Sequence, residues 1–166
     1  MTAGEPVVRI RDVEAGDLEA FFEHQRDPEA VRMAAFPARE RDAFMAHWAR
    51  IRADESLVTQ TIEADGHVVG NVVSWEEQSG RHAVGYWIDR RDWGRGIATA
   101  ALRLLLAKVT ARPLCAHVAV ANVGSIRVLE KCGFTGLPPD DPEARTIGDD
   151  GVEEILLVLG SDDAGS

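Results

Sequence analysis

The chain has 166 residues, 45% hydrophobic and 28% charged, the make-up of one globular domain with a sizeable core. Its formal net charge of −10 argues against nucleic acid as the main partner, and no apolar run approaches the ~20 residues that span a bilayer. The two cysteines are expected to be free buried thiols, and the five scattered histidines do not pair at ligand spacing, so no metal is expected.

Residues 7–11 alternate apolar and polar side chains, as a half-buried strand does. A helix follows with Leu18, Phe21, Phe22 and Gln25 on one face, an acidic start, and a stop at Asp27-Pro28. A short helical piece over 29–32 precedes a break at 34–37. Residues 39–54 read as a second helix, with Phe44, Met45, Trp48 and Ile51 at helical spacing. Residues 57–64 and 67–75 are strands joined by Asp65-Gly66, a strong hairpin signal, and Gly70 interrupts the second as a bulge glycine would. After a polar turn at 76–81, a third strand over 82–88 completes an antiparallel meander.

A long apolar helix over 97–110 leads through Pro113 to a strand over 114–120. The crossover makes this strand parallel to the one over 82–88. A helix over 125–132 ends at Gly133, and Phe134 begins another strand. A long polar loop over 138–150 leads to a last strand over 152–159. Residues 1–160 therefore form a single domain, and 161–166 read as a frayed tail. The N-terminus lacks a basic segment followed by an apolar one, so a cytoplasmic protein is expected. Acid crowds the end of the chain, at Asp140, Asp141, Glu143, Asp149, Asp150, Glu153, Glu154, Asp162 and Asp163, with Arg145 as the opposing charge there.

The stretch from Tyr86 to Thr99 passes from strand through a glycine turn into the long helix. A helix start offers backbone N–H groups without internal partners and partial positive charge. Gly94 and Gly96 permit close approach and positive φ. The turn reads either as a phosphate cradle or as an ordinary tight connection. The P-loop pattern is absent, and the dinucleotide fingerprint is only partly met because Thr99 stands where the third small residue belongs. A dinucleotide-binding oxidoreductase is thereby disfavoured.

Arg91-Asp92-Trp93-Gly94-Arg95-Gly96 resembles the acyl-CoA signature Q/R-x-x-G-x-G/A of the GNAT superfamily of N-acetyltransferases. Gly85-Tyr86-Trp87 through Ile97-Ala98-Thr99 looks like the Rim-type branch, named for enzymes acetylating ribosomal-protein N-termini. Asn122-Val123-Gly124-Ser125 and Leu129-Glu130-Lys131-Cys132-Gly133-Phe134 resemble that branch's second motif. The resemblance implies an α+β fold, GNAT-like, with a mixed central sheet, a splayed parallel strand pair and flanking helices. It implies acetyl-CoA as cosubstrate, with pantetheine in the gap and the diphosphate on the amides from Asp92 to Ala98. The cosubstrate-binding residues it implies are Trp87, Ile88, Arg91, Asp92, Trp93, Gly94, Arg95, Gly96, Ile97, Ala98, Thr99, Asn122 and Ser125.

For chemistry, the resemblance places Asn122 on the pantetheine arm and Ser125 near the sulfur as proton donor; capping of the helix is the alternative role of Ser125. The branch usually reads Glu-Ile-Gly-Tyr-Trp where this chain has Ala83-Val84-Gly85-Tyr86-Trp87, so the carboxylate often cited as general base is missing. Glu77 acting through water is the candidate base, with Glu76 and His82 as alternatives. Phe36, Phe44 or Trp48 would line an acceptor pocket if they are not simply core. The expected reaction is direct attack of a primary amine, a protein N-terminus or a small cationic amine, on the thioester. A homodimer is expected from the family. The alternative is a non-catalytic acyl-CoA-binding or sensing domain, prompted by Ala83.

Overall fold

The computed structural model describes residues 5–34, 38–147 and 151–160. Its elements are β1 (Val8–Asp12), α1 (Asp17–His24), α2 (Pro28–Ala34), α3 (Arg41–Ala53), β2 (Val58–Ala64), β3 (His67–Glu76) and β4 (His82–Ile88). A 3-10 turn (Arg90–Asp92) then leads to α4 (Ile97–Lys108), β5 (Leu114–Ala119), α5 (Val123–Lys131), β6 (Thr135–Gly136), β7 (Arg145–Ile147) and β8 (Glu153–Leu159). One sheet has the order β1-β2-β3-β4-β5-β8-β6, and β7 pairs with β8. The polar loop expected over 138–150 thus contains a short strand. Arg145 and Thr146 find ladder partners in Ile155 and Glu154, a long-range pairing that composition does not reveal.

The meander forms for local reasons. Asp65 and Gly66 both hold positive φ, 52° and 84°, the backbone that matches a two-residue turn to strand twist. The expected bulge lies beside Gly70, where the β2–β3 register steps between Ile62 opposite Gly70 and Glu63 opposite Val68. A Cβ on Gly70 would lie 2.1 Å from the Trp87 carbonyl oxygen, so glycine lets β3 and β4 approach at the bulge.

Core clusters lie on both faces of the sheet. On one face, Ile97, Ala101, Leu102, Leu105, Leu129 and Phe134 pack on Ile62, Val72, Val84, Leu114 and Ala116. On the other, Leu18, Phe21, Phe44 and Trp48 form a cluster against Val68 and Val73. The aromatic stripe of α3 is therefore core. Phe44 and Trp48 are buried, with Trp48 4.9 Å from Phe21 between ring centroids. Phe36 lies outside the described residues.

β4 and β5 are parallel but pair only at His82 with Leu114 and Ala83 with Cys115. Beyond Ala83 they part. The β3–β4 bonds that bracket the strand, Glu77 N–H to Arg81 C=O and Asp89 N–H to Val69 C=O, put the polar groups of odd-numbered β4 residues toward β3. Alternation then turns those of Val84, Tyr86 and Ile88 into the gap.

Candidate functional site

A cavity of about 410 Å³ opens where β4 parts from β5. Tyr86, Trp87 and Ile88 form one wall, and Trp93, Gly94, Gly96, Ile97, Ala98 and Thr99 form its end. Asn122, Gly124, Ser125, Arg127 and Lys131 of α5 and its cap form the opposite wall. Ala30 and Met33 of α2 close one side.

The end wall is built by backbone. Asp89 caps the 3-10 turn by accepting from the Arg91 amide at 3.2 Å. The Asp92 and Trp93 amides close the same turn on Asp89 and Arg90 carbonyls. The run of amides without a protein partner, among the described residues, therefore starts at Gly94 rather than Asp92. It continues through the first turn of α4, whose opening N–H groups have no helical acceptor. Gly94 and Gly96 hold φ of 79° and 78°, which turns the chain so that these amides face the cavity end.

Charge is distributed differently from expectation. Arg91 pairs with Asp89 at 2.7 Å, and Arg95 pairs with Asp92 at 2.7 Å and with Asp65 at 3.7 Å. Both arginines line a separate open depression on the other side of the turn, together with Asp65, His67 and Asp89. The side chains of Arg127 and Lys131 carry no ion pair among the described residues and line the cavity itself. Sequence reading missed both. Their signal is the helical spacing i, i+3, i+7 from Gly124 through Arg127 to Lys131, which puts them on one face of α5.

Trp93 and Trp87 fasten the walls. The Trp93 indole N–H donates to the Ile88 carbonyl at 3.0 Å, so that carbonyl is already satisfied while the Ile88 amide points into the gap. The Trp87 indole N–H donates to the His24 carbonyl at 3.3 Å and ties β4 to the end of α1.

Asn122 is the N-cap of α5; its Oδ1 accepts the Ser125 amide at 3.2 Å. Ser125 is therefore a first-turn residue, and its hydroxyl is free of the capping role. That hydroxyl lies 2.6 Å from the Tyr86 hydroxyl. Burial pushes the Tyr86 phenol up to about 12. Tyr86, the chain's single tyrosine, reaches this place because even-numbered β4 side chains face α4 and α5.

Glu77 stands apart from the cavity, at the turn after β3. Its Oε2 accepts from His117 Nε2 at 2.8 Å, and its Oε1 lies 3.7 Å from Cys115 Sγ. Cys115 is the register partner of Ala83. The Glu77 carboxylate thus reaches the strand position across from the missing family carboxylate. Of the alternatives, Glu76 is exposed and His82 half-buried, and the two pair with each other at 3.6 Å.

Residues 8–135 match the family model described as an acetyltransferase (GNAT) domain. The chain belongs to the GNAT acetyltransferase family. A probable N-acetyltransferase, YjcK, of Bacillus subtilis (strain 168) is 33% identical over 86 residues, 48% of this chain and 46% of that protein. The alignment thus spans about half the length of that relative. Among solved structures, the spermidine N-acetyltransferase of Vibrio cholerae in complex with CoA and spermine superposes with a TM-score of 0.78 at 17% identity, covering 96% of this chain and 98% of the other. Mycobacterium smegmatis RimJ in complex with CoA-disulfide gives 0.76 at 22% identity, covering 96% and 84%. At these identities the likeness is one of fold, and the GNAT fold expected from the two motifs is the fold observed. No helix among the described residues is long and apolar enough to cross a membrane.

Proposed function

We propose that this GNAT domain transfers an acetyl group from acetyl-CoA to a primary amine by direct attack in a ternary complex. The observation that carries the reading is the β4–β5 gap ending on unpartnered amides from Gly94 into α4. Pantetheine carries amides, and it completes the gap as an added strand on the Tyr86 and Ile88 polar groups. The diphosphate sits on the amides from Gly94 to Thr99, where the helix dipole favours negative charge. Arg127 and Lys131 supply the formal charge. The Ile88 N–H polarises the thioester carbonyl.

Three proton and electron movements complete the transfer. The amine nitrogen attacks the carbonyl carbon as Glu77, through water, takes its proton. The carbon–sulfur bond breaks, and Ser125 relays a proton from solvent to the departing thiolate, its hydroxyl taking one proton from water as it gives one up. Asn122 holds the α5 start in place and faces the pantetheine arm. The acceptor is a protein N-terminus, as in a Rim-type enzyme, or a small cationic amine. The −10 net charge favours cations at encounter. Rates with cationic acceptors should therefore fall with added salt more steeply than rates with neutral ones.

A thiol-release assay over amines and N-terminal peptides tests the reading. Turnover is expected, with Glu77→Gln lowering kcat/KM about 100-fold or more and acetyl-CoA raising the melting temperature of both proteins. A melting shift without turnover across the panel would instead identify the acyl-CoA-sensing domain that Ala83 suggests. No shift would remove both.

A further inference from the structure

We propose that Glu77, Cys115 and His117 form a binding site for zinc, at the point where β4 and β5 part. Cys115 and His117 are two residues apart on β5, so their side chains leave the same face of the sheet. Glu77 arrives from the turn after β3. One donor atom from each lies within 4.8 Å of the other two. The carboxylate is 2.8 Å from His117 Nε2 and 3.7 Å from Cys115 Sγ. Tetrahedral zinc, with bonds of about 2.0 to 2.3 Å, holds its ligand atoms about 3.3–3.6 Å apart. The histidine–carboxylate contact must open by about half an ångström, and the thiol and imidazole, within 4.8 Å of each other, must close onto the ion.

The donor set has the composition zinc takes: one thiolate, one imidazole nitrogen and one carboxylate oxygen. Burial grades across it, from a fully buried Cys115 through a partly buried Glu77 to an exposed His117. The fourth position therefore opens to solvent on the histidine side. The charge nearby does not oppose the ion outright, because Arg81 is paired with Glu143 at 2.9 Å. Glu76 and His82, on the adjacent strand ends, pair with each other.

The Glu77 hydrogen bonds hold the three groups converged. Burial and then the Glu77 charge push the Cys115 thiol up, so zinc takes this sulfur as the thiolate only by displacing its proton on binding. A zinc ion on this site takes the Glu77 carboxylate out of reach of the acceptor amine. Zinc is then an inhibitor of acetyl transfer, a consequence that rests on the proposed role of Glu77; the binding itself does not.

Isothermal titration of zinc into the full chain reads the site directly. One equivalent should bind saturably to the wild type and at least tenfold more weakly to Cys115→Ser and to His117→Ala. Cobalt should give a thiolate charge-transfer band in the wild type that is absent from Cys115→Ser. His117 is exposed, so its variant separates loss of a ligand from loss of folding, and melting curves without metal confirm the fold of each. Binding of equal strength in either variant, no saturable binding, or a cobalt spectrum without the band would overturn the proposal. Zinc binding without inhibition would leave the site standing and remove Glu77 as the base.

Discussion

The Tyr86 and Ser125 hydroxyls stand 2.6 Å apart and share one hydrogen bond. Burial holds the Tyr86 phenol near 12, so it stays protonated at neutral pH and can donate to the Ser125 oxygen. In the proposed mechanism Ser125 hands a proton to the thiolate, and Tyr86 is the positioning residue that aims its hydroxyl. A neutral hydrogen bond contributes about 0.5–1.5 kcal/mol. Tyr86→Phe should lower kcat about three- to tenfold and leave KM for acetyl-CoA nearly unchanged. Ser125→Ala should cost at least as much, and the double variant no more than Ser125→Ala alone. Additive losses would mean that the two hydroxyls act separately. Steady-state kinetics with a saturating acceptor measures all three.

Two elements rest on single glycines. Gly96 caps α4 from the left-handed region at φ 78°, which costs an L side chain about 1–2 kcal/mol. Gly96→Ala should relax the turn, scatter the free amides and raise KM for acetyl-CoA more than it changes kcat. Gly70 acts at the bulge of β3. An added methyl group there meets a backbone oxygen at 2.1 Å and cannot be relieved by a rotamer change. Overpacking of this kind costs about 1–3 kcal/mol, and each kcal/mol is about 2–4 °C in a chain of this size. Gly70→Ala should therefore lower Tm by about 2–12 °C. It should also weaken acetyl-CoA binding, because β4 moves at Trp87 and Ile88. A thermal melt with and without acetyl-CoA separates the two effects.

Across the whole molecule, one buried charge network joins distant segments. Asp17, at the start of α1, accepts from Arg11 of β1 at 2.8 and 2.9 Å and from the Thr61 hydroxyl of β2 at 2.8 Å. Burial alone would raise its pKa, but the Arg11 pair and the Glu14 and Thr61 hydrogen bonds prevail and lower it from 3.8 to about 2. A depressed carboxylate stabilises the fold above its unfolded value and loses that contribution as pH falls through the folded one. Asp17→Asn should cost about 2 kcal/mol at pH 7. Denaturant melts of wild type and variant should converge between pH 4 and pH 2. A difference that persists at pH 2 would assign the effect to packing.

Local patterns determined much of this protein. The period-2 and helical runs marked the meander, α3 and α4. Asp65-Gly66 and Gly70 marked a turn and a bulge, and the two motifs around Gly94 and Ser125 marked the GNAT fold, because each depends on backbone conformations that a few adjacent residues impose. Only tertiary structure decided which side chains meet. It turned Arg91 and Arg95 away from the cavity and Arg127 and Lys131 into it, and it spent the Asp92 and Trp93 amides on a turn. It also brought Glu77 to Cys115 and His117, and Tyr86 to Ser125. Those meetings depend on strand register and helix rotation between segments up to 40 residues apart in sequence, set by the packing of the whole core.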